Sequence, residues 1–266
     1  MDRFLAFLER DWRIESSYRL PFIWTCVGIF ASVFMFYYMA RLVGPTALPY
    51  LQDYGGNYFA FLLIGIAFSR YLNVALHSFS GGIRGAQNDG TLEAMLMTPA
   101  PASVIAFGSS LWGYSRTTLE VLIYLVMGRL FWNVHLRGNL PAAAAALLLS
   151  LIAFSAIGVI SSSIILVIKR GDPLMWVWGT ASYLLGGVYY PITILPGWVQ
   201  GLARLLPITY SLRALRLALL QGASLTELWS DLLILSGFCL ILVPLSIYTF
   251  RIAMCRARYD GSLTHF

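Results

Sequence analysis

The sequence predicts an all-α integral membrane protein with six transmembrane helices, an N-terminal interfacial amphipathic helix and a re-entrant helical hairpin before the last span. Three observations carry that expectation. Of 266 residues, 59% are hydrophobic and only 11% are charged, and mean hydropathy is +0.74, which leaves too little charge to cover a soluble domain. The apolar residues fall in continuous runs near the roughly twenty residues a spanning helix needs, where a closed barrel would show alternating strands of about ten. The basic residues behind the net charge of +6 sit between and beside those runs. That is the pattern of membrane orientation rather than of nucleic-acid binding.

Residues 1–19 open the chain with Phe4, Leu5, Leu8 and Trp12 at helical spacing and Asp2, Arg3, Glu9, Arg10, Arg13 and Arg19 on other faces. A helix lying in the headgroup plane has this make-up, so Phe4, Leu8 and Trp12 are its candidate membrane-facing residues; the plainer alternative is a solvated basic tail. Charges interrupt the stretch before Ile14, so it does not read as a cleavable signal peptide. A first span is expected over 20–42, closed by Arg41, Gly44-Pro45 and the turn Asp53-Tyr54-Gly55-Gly56. A second runs over 58–78 with Arg70, Asn73 and His77 as a polar stripe, and a third over 102–130 with Arg116 and Glu120 inside it.

Between the second and third spans lies the longest polar interruption, residues 81–101, reading GGIRGAQNDGTLEAMLMTPAP. Asn88-Asp89-Gly90 is a turn signal, Thr91 can cap a short amphipathic helix over Leu92 to Met97, and Pro99 and Pro101 stop it. A fourth span over 141–167 is rich in small residues that let helices approach closely, among them Ala142 to Ala146, Ser155, Gly158 and Ser161 to Ser163. A fifth, over 173–190, breaks at Gly186-Gly187 and Pro191. Residues 191–222, with Pro191, Pro196 and Pro207, are too broken for a span and too apolar for a solvated loop. A re-entrant hairpin fits, because broken helix at membrane depth survives only where protein or a watery cavity satisfies its backbone. The last span is expected over 228–250.

Six spans put both termini on one face. That face carries Arg3, Arg10, Arg13, Arg19, Arg84, Lys169, Arg170, Arg251, Arg256 and Arg258, against Arg41, Arg129, Arg137, Arg204, Arg213 and Arg216 on the other. The basic excess places both termini, and the 81–101 segment with them, in the cytoplasm.

The chain offers little covalent chemistry. It has no G-x-x-x-x-G-K-[ST] phosphate loop, and its one lysine, Lys169, is followed by Arg170. Zinc-protease and hydrolase signatures are absent, and the three cysteines and three histidines are scattered without metal-ligand spacing. No cofactor is therefore expected in this chain, and energised work would need another one. The intramembrane polar residues Arg70, Asn73, Arg116 and Glu120 are the internal candidates. Arg116 and Glu120 are four apart and can pair on one helix face. Charges within spans usually face a bundle interior, so a functional role competes with a neutralised packing pair.

Two stretches bear a resemblance. Arg84 to Pro99, with Asp89-Gly90-Thr91-Leu92-Glu93 at its centre, resembles the cytoplasmic coupling segment of permeases from the second type of ATP-binding-cassette exporters. Tyr190-Pro191-Ile192-Thr193-Ile194-Leu195-Pro196, then Trp198-Val199-Gln200, Leu205-Leu206-Pro207 and Arg213 to Arg216, is similar to that family's pattern before its last helix. The resemblance covers most of the chain and implies a single permease domain over 1–266 in the cytoplasmic (inner) membrane. It also implies pairing with a second copy among membrane lipids and energy from a separate nucleotide-binding ATPase subunit, which brings ATP and Mg. Carried over, Arg84, Asp89, Gly90, Thr91, Leu92 and Glu93 would be the coupling residues. The family often has a charged pair before the Gly-Thr, where this chain has Gln87-Asn88-Asp89. The implied function is outward movement of an amphipathic, lipid-linked or drug-like substrate. The alternative from another class is a non-energised membrane protein, such as a lipid scramblase or an assembly scaffold.

Overall fold

The computed structural model describes residues 19–88, 102–136, 138–168 and 173–259. Among them the regular structure is helical, with no strand, as expected of a backbone that has no water to bond to and must satisfy its own N–H and C=O groups. The helices are α1 (Arg19–Ala47), α2 (Tyr58–Asn88), α3 (Ala102–Trp132), α4 (Leu140–Ile168), α5 (Pro173–Leu185), α6 (Gly197–Ala203), α7 (Pro207–Arg216) and α8 (Trp229–Tyr259). Four carry a stretch long and apolar enough to cross a bilayer: Phe22–Gly44, Tyr58–His77, Leu140–Ile165 and Trp229–Arg256. Helix α3 has comparable length but holds Arg116 and Glu120 near its middle. Helix α5 has 13 residues, short of the roughly twenty that a straight crossing takes.

Three helices outrun the spans read from the sequence by five residues or more. Helix α1 continues through Gly44-Pro45 to Ala47, α2 through Gly81-Gly82 to Asn88, and α8 through Arg251 and Arg256 to Tyr259. The physical reason is that a charge at the end of an apolar run marks where the helix leaves hydrocarbon, not where its hydrogen bonding stops.

Helix α2 is the axis of the bundle. Its apolar stretch is 78% buried, against 11% for the stretches in α1 and α8 and 39% in α4. It packs against α1, α3, α4 and α7, with Phe61, Leu62, Ile64, Ala67 and Leu72 fully enclosed. Close approach is made by small residues. Gly128 of α3 lies against Leu63, and α4 turns Ala142, Ala146, Ser150 and Ala153 inward at helical spacing, all buried. The small-residue content of the fourth apolar run therefore serves packing on α8 and α2.

Capping follows the local sequence. Asn57 Oδ1 accepts the Ala60 amide at 3.1 Å to start α2, and Asn139 Oδ1 accepts the Ala142 amide at 3.3 Å to start α4. In the broken segment each proline sits where a missing N–H costs least. Pro191 precedes the turn Ile192–Ile194, Pro196 precedes α6, and Pro207 is the first residue of α7. The chain reverses after α5 at Gly187, whose φ of +77° is open to glycine. Helix α7 runs into a π turn, Leu217–Gln221, closed by Gly222 at φ +73°.

Gly65 marks the tightest contact of the broken segment with α2. A Cβ there would stand 2.3 Å from the Val188 carbonyl oxygen and 2.4 Å from Arg216 Nη2. Gly65→Ala is therefore expected to destabilise the chain by about 1–3 kcal/mol through overpacking, read as a lower melting temperature in detergent. Gly28→Ala, inside α1 with nothing within 4 Å, is the control expected to keep or raise stability, by up to about 1 kcal/mol of helix propensity.

Candidate functional site

The polar residues singled out within the apolar runs converge on one layer of the bundle. Glu120 of α3 takes an arginine on each carboxylate oxygen: Arg116 Nε lies 3.4 Å from Oε1, one turn earlier on the same helix, and Arg70 Nε of α2 lies 3.7 Å from Oε2. The glutamate side chain is 14% exposed, and the two arginines about 40%. Arg116 reaches on to α1, donating from Nη2 to Thr25 Oγ1 at 3.2 Å. The Arg70 guanidinium stands 5.8 Å from the centre of the Tyr124 ring. One carboxylate thus ties three helices, and it does so where the low dielectric makes each pairing stronger and each orphaned charge more costly than in water.

Asn73 lies one turn along α2 from Arg70. Its amide donates to the Ser69 carbonyl at 3.4 Å and to the Tyr183 hydroxyl of α5. Nearby, Tyr71 donates to Thr118 Oγ1 at 2.9 Å, and the Tyr114 and Ser155 hydroxyls share a hydrogen bond at 2.6 Å between α3 and α4. A polar seam therefore runs from α1 through α3 and α2 to α5, with Arg70, Asn73, Arg116 and Glu120 along it. Of the stripe read on α2, His77 is exposed, at the edge of the apolar stretch. Nothing in the layer makes a nucleophile–base pair; its chemistry is charge placement and hydrogen bonding. Among the described residues no three His, Cys, Asp or Glu side chains gather as a metal set.

The residue that sequence reasoning missed is Arg216. It is 3% exposed, and it donates from Nε to the Phe61 carbonyl at 3.2 Å, from Nη1 to Gly187 at 2.8 Å and from Nη2 to Val188 at 3.0 Å. Its Cζ stands 3.4 Å from the centre of the Phe61 ring. The planar five-donor fork of arginine suits carbonyls that diverge this way, where a lysine could meet them only as a point charge. Tyr58 adds a second tie, donating to the Tyr189 carbonyl at 3.1 Å. In the turn before α2, burial pushes the Tyr54 phenol above its ordinary pKa, against the opposing pull of Arg216 and Arg213; it stays neutral beside the arginine. The available signal was the arginine itself, set in an apolar segment too broken to let it reach water. Its neighbour Arg213 instead pairs with buried Asp231 of α8 at 3.7 Å.

Pro191, Pro196 and Pro207 take the positions already described. Asp89, Gly90, Thr91, Leu92 and Glu93 lie outside the described residues, as do Phe4, Leu8 and Trp12. Arg84 falls on the described backbone of α2, three turns beyond Asn73.

A bundle with a charged layer on its central helix and a broken helical segment before the last one also has relatives. The family model described as ABC-2 type transporter matches residues 5–220. The chain belongs to the ABC-2 type transporter family. It is similar to the protein called inner membrane transport permease YadH from Escherichia coli K12, and equally to its counterparts in Escherichia coli O157:H7 and Shigella flexneri, at 27% identity over 168 residues. The matched region is 61% of this chain and 63% of each relative, so the chain spans less than two thirds of their length. The family match takes in α1 to α7, and with them the charged layer and the Arg216 tie.

Arg216→Lys is expected to destabilise this ABC-2 chain by about 2–3 kcal/mol, since charge is kept but the carbonyls can no longer all be met. A melting curve in detergent reads it, and Arg204→Lys, at an exposed position, is the matched control.

Proposed function

We propose that the chain is the transmembrane subunit of an ATP-driven exporter, which moves an amphipathic, lipid-linked or drug-like substrate outward across the cytoplasmic membrane. In this reading six spans cross, with both termini cytoplasmic. The third and fifth are α3 and α5 with the residues that flank it, and residues 191–222 form a re-entrant hairpin on the opposite face. Two copies pair around the path, and a separate ATPase subunit supplies the energy through the 81–101 segment. The observation that carries it is a conjunction: the chain belongs to the ABC-2 type transporter family over most of its length, yet its sequence holds no phosphate loop. The name of the YadH relatives supports the inner-membrane location, and the basic excess supports the orientation.

The geometry supplies a route for coupling. Helix α2 has 31 residues, about 46 Å of continuous rod at 1.5 Å per residue. One end is held to the hairpin through Arg216, and the other enters the coupling segment. A push on that segment would be delivered along α2 and α3, at whose contact Glu120 holds Arg70 and Arg116. Because α1 is tied to the same charges through Thr25, the three helices are expected to move as a set. Exchange of pairing within the layer is then a two-position element of the kind such transitions need. The seam of hydroxyls and amides offers hydrogen bonds to the polar part of an amphiphile.

Charge reversal at Asp89 and Glu93 is expected to abolish co-purification of the ATPase subunit and to lower transport at least about tenfold, a coupling loss near 1.4 kcal/mol. Unchanged assembly and transport would sink the coupling role. Separately, Glu120→Gln keeps the shape of the side chain and removes the counter-charge. Transport by vesicles is expected to fall roughly tenfold while ATPase assembly persists; wild-type transport would remove Glu120 from the mechanism.

A further inference from the structure

The emergent end of α8 carries a feature that neither the charged layer nor the coupling segment uses. Tyr248, Arg251, Ile252, Cys255 and Arg256 border one shallow, open and largely apolar cleft on the face of the helix. At 3.6 residues per turn, Tyr248, Ile252 and Cys255 form one strip along the helix, and Arg251 and Arg256 stand on its two flanks, about 140° apart around the axis. Tyr248 is 64% exposed and Ile252 47%; Cys255 and both arginines are exposed as well. Neither arginine has a hydrogen-bond or ion-pair partner among the described residues.

Depth tells what such a face meets. From Trp229, where the apolar stretch of α8 begins, to Arg251 the helix rises about 33 Å, against a hydrocarbon core about 30 Å thick. Below the arginines the outer face is continuously apolar and open, through Leu240, Ile241, Leu245 and Tyr248. A guanidinium pair is thus set at headgroup level over a strip that continues into the acyl region. Its shape and charge match a molecule with an anionic phosphodiester and a fatty tail. A soluble partner would meet the arginines but not the apolar strip beneath them.

We propose that this end of α8 binds an anionic glycerophospholipid, with the phosphodiester between Arg251 and Arg256 and an acyl chain along Tyr248 and Ile252. The inference rests on the transmembrane placement of α8 but not on ATP coupling, and binding is measured on the permease alone.

The test is native mass spectrometry of the purified full chain in neutral detergent, titrated with phosphatidylglycerol or phosphatidylcholine. The wild type is expected to prefer phosphatidylglycerol, and the double variant Arg251→Gln with Arg256→Gln to lose on the order of tenfold in affinity for it, with phosphatidylcholine binding unchanged. The pair Arg251→Lys and Arg256→Lys is expected to restore most of the preference. Inorganic phosphate in millimolar excess is expected not to compete; displacement by it would make the cleft a free-anion site and overturn the lipid assignment. A wild type without headgroup preference overturns the proposal whether or not the glutamine variant folds. So does a folded glutamine variant that binds phosphatidylglycerol normally. Loss of ATPase co-purification with lipid binding intact would mark the face as a protein contact instead.

Discussion

The guanidinium of Arg216 holds together the part of the molecule that has least regular structure to hold itself. Between α5 and α8 the chain turns at Gly187, starts and stops helices at prolines, and passes through a π turn, so several carbonyls lose their ladder partners. Arg216 gathers two of them, from Gly187 and Val188, together with one from α2. No carboxylate among the described residues pairs with it, so the positive charge is satisfied by carbonyl dipoles and the face of Phe61. Such a group is costly to bury and more costly to strip of its partners. Gly65 and the reversal at Gly187 follow from the same requirement, since backbone must come within hydrogen-bond reach of α2.

Much of this architecture is legible in the sequence. The long apolar runs at Phe22, Tyr58, Leu140 and Trp229 announce their helices, and the prolines announce the breaks. The pairing of Arg116 with Glu120 follows from their spacing of four. What does not follow is Arg70 as the second partner of that carboxylate, because spacing within one helix says nothing about which face of α2 meets α3. Arg216 is harder still: its partners are backbone carbonyls from two distant places, and a carbonyl leaves no mark on the identity of its residue. Gly44-Pro45 mislead in a different way: they read as the start of a loop, yet α1 runs through them to Ala47.

The two arginine sites along α2 differ in kind. At one end Arg216 fixes the helix to the broken segment through dipoles that have one good arrangement. Some distance along it, Arg70 enters a pairing in which one glutamate serves two arginines and neither contact is short. The first behaves as an anchor. The second has slack, and a carboxylate with two suitors can change its allegiance without leaving either charge far from a partner.

The contrast in burial among the helices bears on where such a chain can take a change of side chain. With nearly four fifths of its apolar stretch enclosed, α2 is answerable to neighbours on every side. In α1 and α8 only about a tenth is enclosed by the rest of the chain, so most of their surface is free of the packing that constrains α2. A change of side-chain volume on α2 must therefore be absorbed by several helices at once, whereas one on the outer faces of α1 or α8 displaces little of the chain.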